Sequence, residues 1–212
     1  MSDPLRRPPP VAAPSPWDDR YRGAGYRYGT AANGWLTAHA DLLPAAGRAL
    51  DLACGEGRDA VWLATRGLTV EAIDASPVAL AKGRRLASAS GVTVTWRRLD
   101  LQSGWLPEPS GYALITCCNF LHRPLLAALP DCLAPGGLLV YTTYRTGQER
   151  YGHPTHPDHL LRLDELRQAC STLTLVAYEE GETRARGRPA LRGQVVARRR
   201  CSTCPRWRGG EG

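Results

Sequence analysis

Apolar positions recur along this chain in short runs, separated by glycine turns and helical stripes, as in a parallel sheet with crossover helices. Leu50, Leu52 and Ala53 give a buried strand around the single acid Asp51 and lead into Gly55 and Gly57. The apolar Ala60–Ala64 follows as the helix of a strand–turn–helix unit. Val70–Asp74 reads as a second strand ending in an acid, Val92–Arg97 as a third and Tyr112–Asn119 as a fourth. The turn Ala134–Gly137 leads into a fifth strand, Leu138–Tyr141. Alternation from residue 48 to about 144 implies parallel strands joined by right-handed crossovers. Helices are expected at Trp35–Leu43, with Trp35, Leu36, His39, Leu42 and Leu43 on one face, at Pro124–Cys132 and at Leu163–Cys170. Leu173–Tyr178 and Leu191–Ala197 read as a last pair of strands around a loop, Glu179–Pro189.

Composition narrows the class. A chain of 212 residues suffices for one well-cored domain, and no run approaches 18 apolar residues, so no membrane partner is expected. Met1–Pro16 is proline-rich without an apolar segment, which suggests a disordered lead rather than a secretory signal. The expected organisation is that lead, a domain over 17–200 whose residues 17–47 form a lid and helix, and a flexible tail over 201–212. Seven cysteines, several inside expected core elements, suit a reducing cytoplasm. The net charge of +7 is concentrated late: nine arginines and no acid stand between Arg184 and Arg208. A solvated strand end explains them, and without a base-reading motif no nucleic-acid partner is expected. Nothing in the pattern requires more than a monomer.

The chemistry centres on Ala49–Gly57, A-L-D-L-A-C-G-E-G. A buried carboxylate at Asp51 is costly, on the order of several kcal/mol, unless something pairs with it. Gly55-x-Gly57-x-x-Ala60 also fits a dinucleotide fingerprint, leaving an NAD(P)-binding oxidoreductase as an alternative. Asp51 and Glu56 would repel a pyrophosphate there and suit a cofactor with a cationic end, such as S-adenosylmethionine. Asp74, at the end of the second strand, can accept ribose hydroxyls of either cofactor. A third alternative is a non-catalytic, RNA-associated cofactor-binding protein using the arginine-rich end.

At these residues the chain resembles the class I S-adenosylmethionine-dependent methyltransferases. The resemblance implies a Rossmann-like α/β fold, a seven-stranded, mostly parallel sheet with an antiparallel last strand and helices on both faces. It implies cofactor contacts from the first loop (Asp51, Ala53, Cys54, Gly55, Gly57, Arg58), from the second strand end (Asp74, Ala75, Ser76), from the adenine side (Asp100, Leu101) and from the fourth strand end (Cys118, Asn119). Ala53 stands where the family usually has glycine. The order W-D-D-R-Y, D-L-A-C-G-E-G-R-D, N-F-L-H-R-P, D-E-L-R and V-A-Y-E-E-G is similar to the bacterial tellurite-resistance (TehB-like) and related thiol methyltransferases. That implies a small-molecule acceptor that is a soft nucleophile, a thiol or an oxyanion of tellurium or selenium. The late loop carries Arg184, Arg186 and Arg188 where the closest family has a His-Arg pair.

Positive charge near a thiolate or oxyanion would assist methyl transfer, so the catalytic candidates are Arg184 and Arg123, holding an anion, and His122 as base. Arg145 at the fifth strand's end and Arg188 in the late loop are further cations. Trp17, Tyr21, Tyr26 and Tyr28 suit an aromatic lid over a sulfonium. His153-x-x-His156-x-x-His159 and Cys201-x-x-Cys204 have metal-like spacing, yet neither supplies a convergent ligand set in sequence, and no metal is expected.

Overall fold

The structure, a computed structural model, describes residues 15–185 and 187–201. The lead before Ser15, Arg186 and the Cys204 half of the cysteine pair lie outside the described residues. In chain order the elements are α1 (Asp18–Tyr21), α2 (Gly34–Ala38), β1 (Arg48–Leu52), α3 (Arg58–Thr65), β2 (Thr69–Asp74), α4 (Pro77–Ala89) and β3 (Thr95–Arg98). There follow β4 (Tyr112–Cys118), α5 (Arg123–Cys132), β5 (Leu133–Tyr144), α6 (Glu165–Ala169), β6 (Thr174–Ala185) and β7 (Arg188–Arg198).

The seven strands form one sheet in the order β3-β2-β1-β4-β5-β7-β6, and only β7 runs against the other six. The order reverses between β1 and β4, which places a crevice at the carboxyl ends of those strands. Strand residues alternate between two cores. Leu50, Leu52, Ile115, Leu139, Tyr141 and Val195 face a layer holding Leu125, Leu129 and Leu166 of α5 and α6. Ala49, Leu114, Val140 and Val196 face Leu36, Ala60 and Leu63 of α2 and α3. Shortening a fully buried leucine such as Leu50 to alanine would cost about 2–5 kcal/mol.

Local chemistry sets the element ends. Ser76 caps α4: its Oγ accepts from the Ala79 amide at 3.1 Å, with Pro77 next in the first turn. The expected helix Trp35–Leu43 is broken at His39, whose ring lies 4.3 Å from that of Trp35. Its Nδ1 meets the Trp35 carbonyl at 2.9 Å, the acceptor a further helical turn would use. The larger correction is at Glu179–Pro189. It is a β-hairpin rather than a loop, paired from Thr174 opposite Arg198 to Ala185 opposite Arg188, with Gly187 at φ +77° in the turn. Pairing of β7 with β5 stops at Tyr144 opposite Arg192, so the rest of the hairpin projects past the sheet as a two-stranded ribbon. As the edge strand, E-E-G-E-T-R carries polar side chains, with Glu180 paired to Arg145 and Glu179 bonded to Gln194, so it lacks the apolar alternation of a half-buried strand.

Candidate functional site

The β1–α3 loop is built to bring backbone close to a ligand. Ala53, Gly55 and Gly57 have φ of +51°, +54° and +79°. For Ala53 this left-handed conformation costs roughly 1–2 kcal/mol, the reason glycine suits that place. A Cβ on Gly55 would stand 3.0 Å from the Tyr21 hydroxyl oxygen. Gly57 serves a different purpose: a Cβ there would lie 2.3 Å from the Trp96 ring and 3.2 Å from the Gly83 Cα. It lets α3 and α4 close on Trp96 of β3 and does not line the cavity.

Asp51 is 1% exposed. Its Oδ1 accepts from the Thr116 hydroxyl at 2.9 Å, while Oδ2 is buried without a hydrogen-bond partner. Burial, with the nearby Asp59 carboxylate adding to it, raises its carboxyl well above the usual range. An orphaned acid facing a cavity is a receptor for a cation. Asp74 accepts from the Gly55 amide through Oδ2 and from the Ser76 amide through Oδ1, both at 2.8 Å. A carboxylate offers about four acceptor sites, so about two remain for hydroxyls. Burial also raises Asp74, against the pull of the Ser76 and Gly55 amides.

These groups open on a cavity of about 900 Å³. Asp51, Ala53, Cys54, Gly55 and Arg58 line it from the first loop, Asp74 and Ala75 from the end of β2. Asp100 and Leu101 line it beyond β3, and Cys118 and Asn119 at the end of β4. Ser76 is fully buried as the α4 cap and is not in the wall. Burial holds the Cys54 and Cys118 thiols well above their usual range, with neighbouring Asp74 and Asp59 respectively adding to it. Neither is a ready thiolate.

The catalytic candidates fare differently. Arg123 is committed to Glu165, with Nε to Oε1 at 2.6 Å and Nη2 to Oε2 at 3.0 Å, and it also donates to the Asp158 and Leu160 carbonyls. His122 stands at the start of α5 without a side-chain cap bond. Arg184 is exposed near the hairpin tip, where it donates to the Gly187 carbonyl at 3.4 Å. None of the three lines the cavity. Arg145 points elsewhere, its Nε 3.7 Å from Glu180. The structure brings other groups to that end: Arg188 of β7, Tyr144 of β5, and His153, His156 and His159 from one loop. The histidine spacing is visible in sequence, but its convergence on the cavity is not. The His156 and His159 rings lie 5.7 Å apart, and among the described residues no trio of histidine, cysteine or acid side chains is placed to hold a metal.

A strap over residues 15–33 covers the loop. Trp17, Tyr21 and Tyr28 line the cavity, and Tyr21 packs edge-on to Tyr28 at 6.3 Å. Tyr26 instead donates from its hydroxyl to the Lys82 carbonyl at 3.3 Å. Glu56, the acid within the glycine turn, pairs with Lys82 at 2.8 Å. Lys82 Nζ also donates to the Gly23 and Gly25 carbonyls at 2.7 and 2.6 Å. Further bonds run from Ser76 Oγ to Asp18 at 2.5 Å and from the Asn33 amide to Asp59 at 2.6 Å.

Comparison with known proteins agrees with this geometry. Residues 49–137 match the methyltransferase domain family model. Among curated proteins, the chain is 33% identical over 123 residues to the ubiquinone biosynthesis O-methyltransferase of Burkholderia lata, covering 56% of this chain and 52% of that protein. The chain thus spans about half the length of the curated relatives it matches. Among solved structures, TehB from Haemophilus influenzae superposes with a TM-score of 0.69 at 17% identity, over 87% of this chain and 66% of that one. Phosphoethanolamine N-methyltransferase 2 from Haemonchus contortus, solved with S-adenosylmethionine, gives 0.64 at 16% identity, over 86% and 56%. Over residues 49–137 the chain is similar to the methyltransferase domain family, and its fold is that of solved S-adenosylmethionine-dependent methyltransferases. The solved neighbours show its fold, and the family match over 49–137 places the methyltransferase domain on the strands that build the cofactor crevice.

The residues present fit that cofactor. Orphaned Asp51 Oδ2 suits its amino group, the spare acceptor sites of Asp74 its ribose, and Asp100 with Leu101 its adenine side. When bound, it would supply an electrophilic sulfonium methyl for transfer to an acceptor lone pair, with the S-adenosylhomocysteine thioether as leaving group.

Proposed function

We propose that this protein methylates a small soft nucleophile, a thiol or a chalcogen oxyanion. The observation that supports this reading is that Arg188 and three histidines line the same cavity as the cofactor-side acids. Cations and imidazoles favour the deprotonated form of an acceptor and its approach from water. The protein's own contribution is alignment in a covered cavity, with the strap excluding water. Asp51 and Asp74 orient the cofactor end, and Arg188 holds the acceptor end.

The test begins with calorimetric binding of S-adenosylmethionine and S-adenosylhomocysteine to the wild type and to Asp74→Ala. Micromolar affinity lost in the variant is expected. Labelled-methyl transfer to thiols, selenite and tellurite then follows, with Arg188→Ala raising the acceptor KM while leaving cofactor affinity unchanged. Cofactor binding without transfer to any of these acceptors would refute the substrate class.

A further inference from the structure

Arg192 is a buried cation without an acidic partner. It is 6% exposed on β7, and among the described residues it makes no ion pair. Its guanidinium lies over the Tyr144 ring at 4.5 Å, and its Nε has no hydrogen-bond partner. Burial, together with Arg58, lowers its pKa. A guanidinium in such a setting costs several kcal/mol, an order of magnitude that requires a reason.

Among the described residues, the one side chain to which Arg192 donates is Asn119, through Nη2 to the amide oxygen. Arginine has donors only, so the atom it meets must be the amide oxygen, and the orientation of the amide is chemically fixed. Asn119 lines the cavity at the end of β4, in a left-handed conformation with φ +61°, its own amide donating to the Thr142 carbonyl at 2.8 Å. With backbone and side-chain oxygen both anchored, the N–H₂ is the hydrogen-bonding end left to a ligand. The charge behind it polarises those donors.

We infer that Arg192 and Asn119 form a polarity filter for the methyl acceptor. Arg192 positions the Asn119 amide so that it donates to a lone-pair-bearing oxygen or sulfur anion and offers no acceptor to a protonated amine. The inference rests on the methyl-transfer reading and extends it, since it sets oxygen and sulfur acceptors apart from nitrogen ones. An acceptor arriving as an anion carries no proton to be removed when its lone pair forms the new bond to carbon.

The probes are 4-nitrothiophenolate, a coloured anion at neutral pH, and benzylamine, a cation of similar size. Binding to the protein saturated with S-adenosylhomocysteine is read by absorbance shift and calorimetry. The wild type should bind the thiolate at least tenfold more tightly than the amine. Asn119→Asp, in which Arg192 faces a carboxylate, should weaken the thiolate at least tenfold in protein kept saturated with S-adenosylhomocysteine. Arg192→Gln should narrow the preference between probes, and Arg192→Lys should restore it in part, which a merely structural role would not do. If Arg192→Gln does not fold, Asn119→Asp alone decides. Equal binding of the two probes by the wild type, or unchanged thiolate affinity in Asn119→Asp, overturns the inference. A selective thiolate site without methyl transfer would refute the proposed function and leave the filter standing.

Discussion

Lys82, the only lysine in the chain, offers a sharp test of how the cofactor crevice is covered. All three of its ammonium donors are used, one on Glu56 and two on carbonyls of the strap, and its side chain is 7% exposed against 3% for Glu56. Lys82→Met keeps the stem and removes the charge. Glu56 is then buried with the Tyr28 amide, 3.4 Å from Oε2, as its remaining bond to the strap. Breaking a buried pair on one side costs about 3–5 kcal/mol. In a domain of this size that is roughly 6–20 °C in Tm, at about 2–4 °C per kcal/mol. The strap can instead undock and rehydrate Glu56, so the global loss should fall at the lower end, with the rest appearing as local opening. Urea unfolding gives the global term, and hydrogen exchange at the Tyr28 and Asn33 amides gives the local one. Exchange there should accelerate at least tenfold, and S-adenosylhomocysteine should dissociate faster because Tyr21 and Tyr28 line the cavity. Glu56→Gln added to Lys82→Met should recover more than half of the stability. Wild-type stability and strap exchange in Lys82→Met would refute the pinning argument.

Other consequences follow from the same geometry. Asp51→Asn should raise the Tm of the cofactor-free protein at neutral pH and weaken S-adenosylmethionine at least tenfold, measured by thermal melts and calorimetry. Because folding raises the Asp51 pKa, its contribution to stability is complete below the unfolded value near 3.8 and is lost as pH rises through the folded one. Cofactor affinity should rise over that same interval as Asp51 ionises, with proton release visible as a buffer-dependent heat. Gly57→Ala should lose about 2–5 kcal/mol in urea unfolding, from overpacking against Trp96 plus the left-handed φ; adding Trp96→Phe should return only the packing share. Arg123→Ala should lower stability but leave cofactor affinity intact. Partial burial pushes Glu165 up, yet the Arg123 hydrogen bonds outweigh it and hold the carboxyl below 4.5. That share of stability is present above 4.5 and disappears as pH falls through the lowered value, so the variant's acid unfolding should be flatter.

The cofactor side was legible in the sequence because its signals are local. Asp51, Gly55 and Asp74 sit at a strand end, a turn and the next strand end, and the sheet's geometry converts that spacing into one crevice. Even there two residues changed meaning: Gly57 and Ser76 serve packing and capping rather than the ligand. The acceptor side was not legible, because residues far apart in the chain compose it. Arg123 stands beside β4 as expected, but Glu165, 42 residues on, neutralises it when α6 docks. Arg184 was placed in a loop that is a ribbon, and pairing with Pro189 fixes it near the tip, whereas Arg188 across the hairpin reaches the cavity.

Charge is distributed unevenly across that cavity. Asp51, Asp74 and Asp100 stand, with Arg58 beside them, on the side built by β1, β2 and β3, Arg20 and Arg27 line the cavity from the strap, and Arg188 and the histidines stand on the side reached from β7 and the loop after β5. Under the proposed function, a cationic cofactor and an anionic acceptor placed the other way round would each meet like charge. At an effective dielectric constant of about 20, like charges about 4 Å apart repel by about 4 kcal/mol. Arg192 extends the asymmetry behind the wall, where no solvent screens it, and Asn119 carries it to the cavity surface as an N–H donor. The sheet order sets the arrangement: β4 lies between β1 and β5, so its carboxyl end stands between the acids at the ends of β1 and β2 and the residues reached from β5 and β7. Replacing Arg188 with glutamate should therefore harm acceptor binding far more than cofactor binding, whereas charge reversal at exposed Arg184 should leave both unchanged.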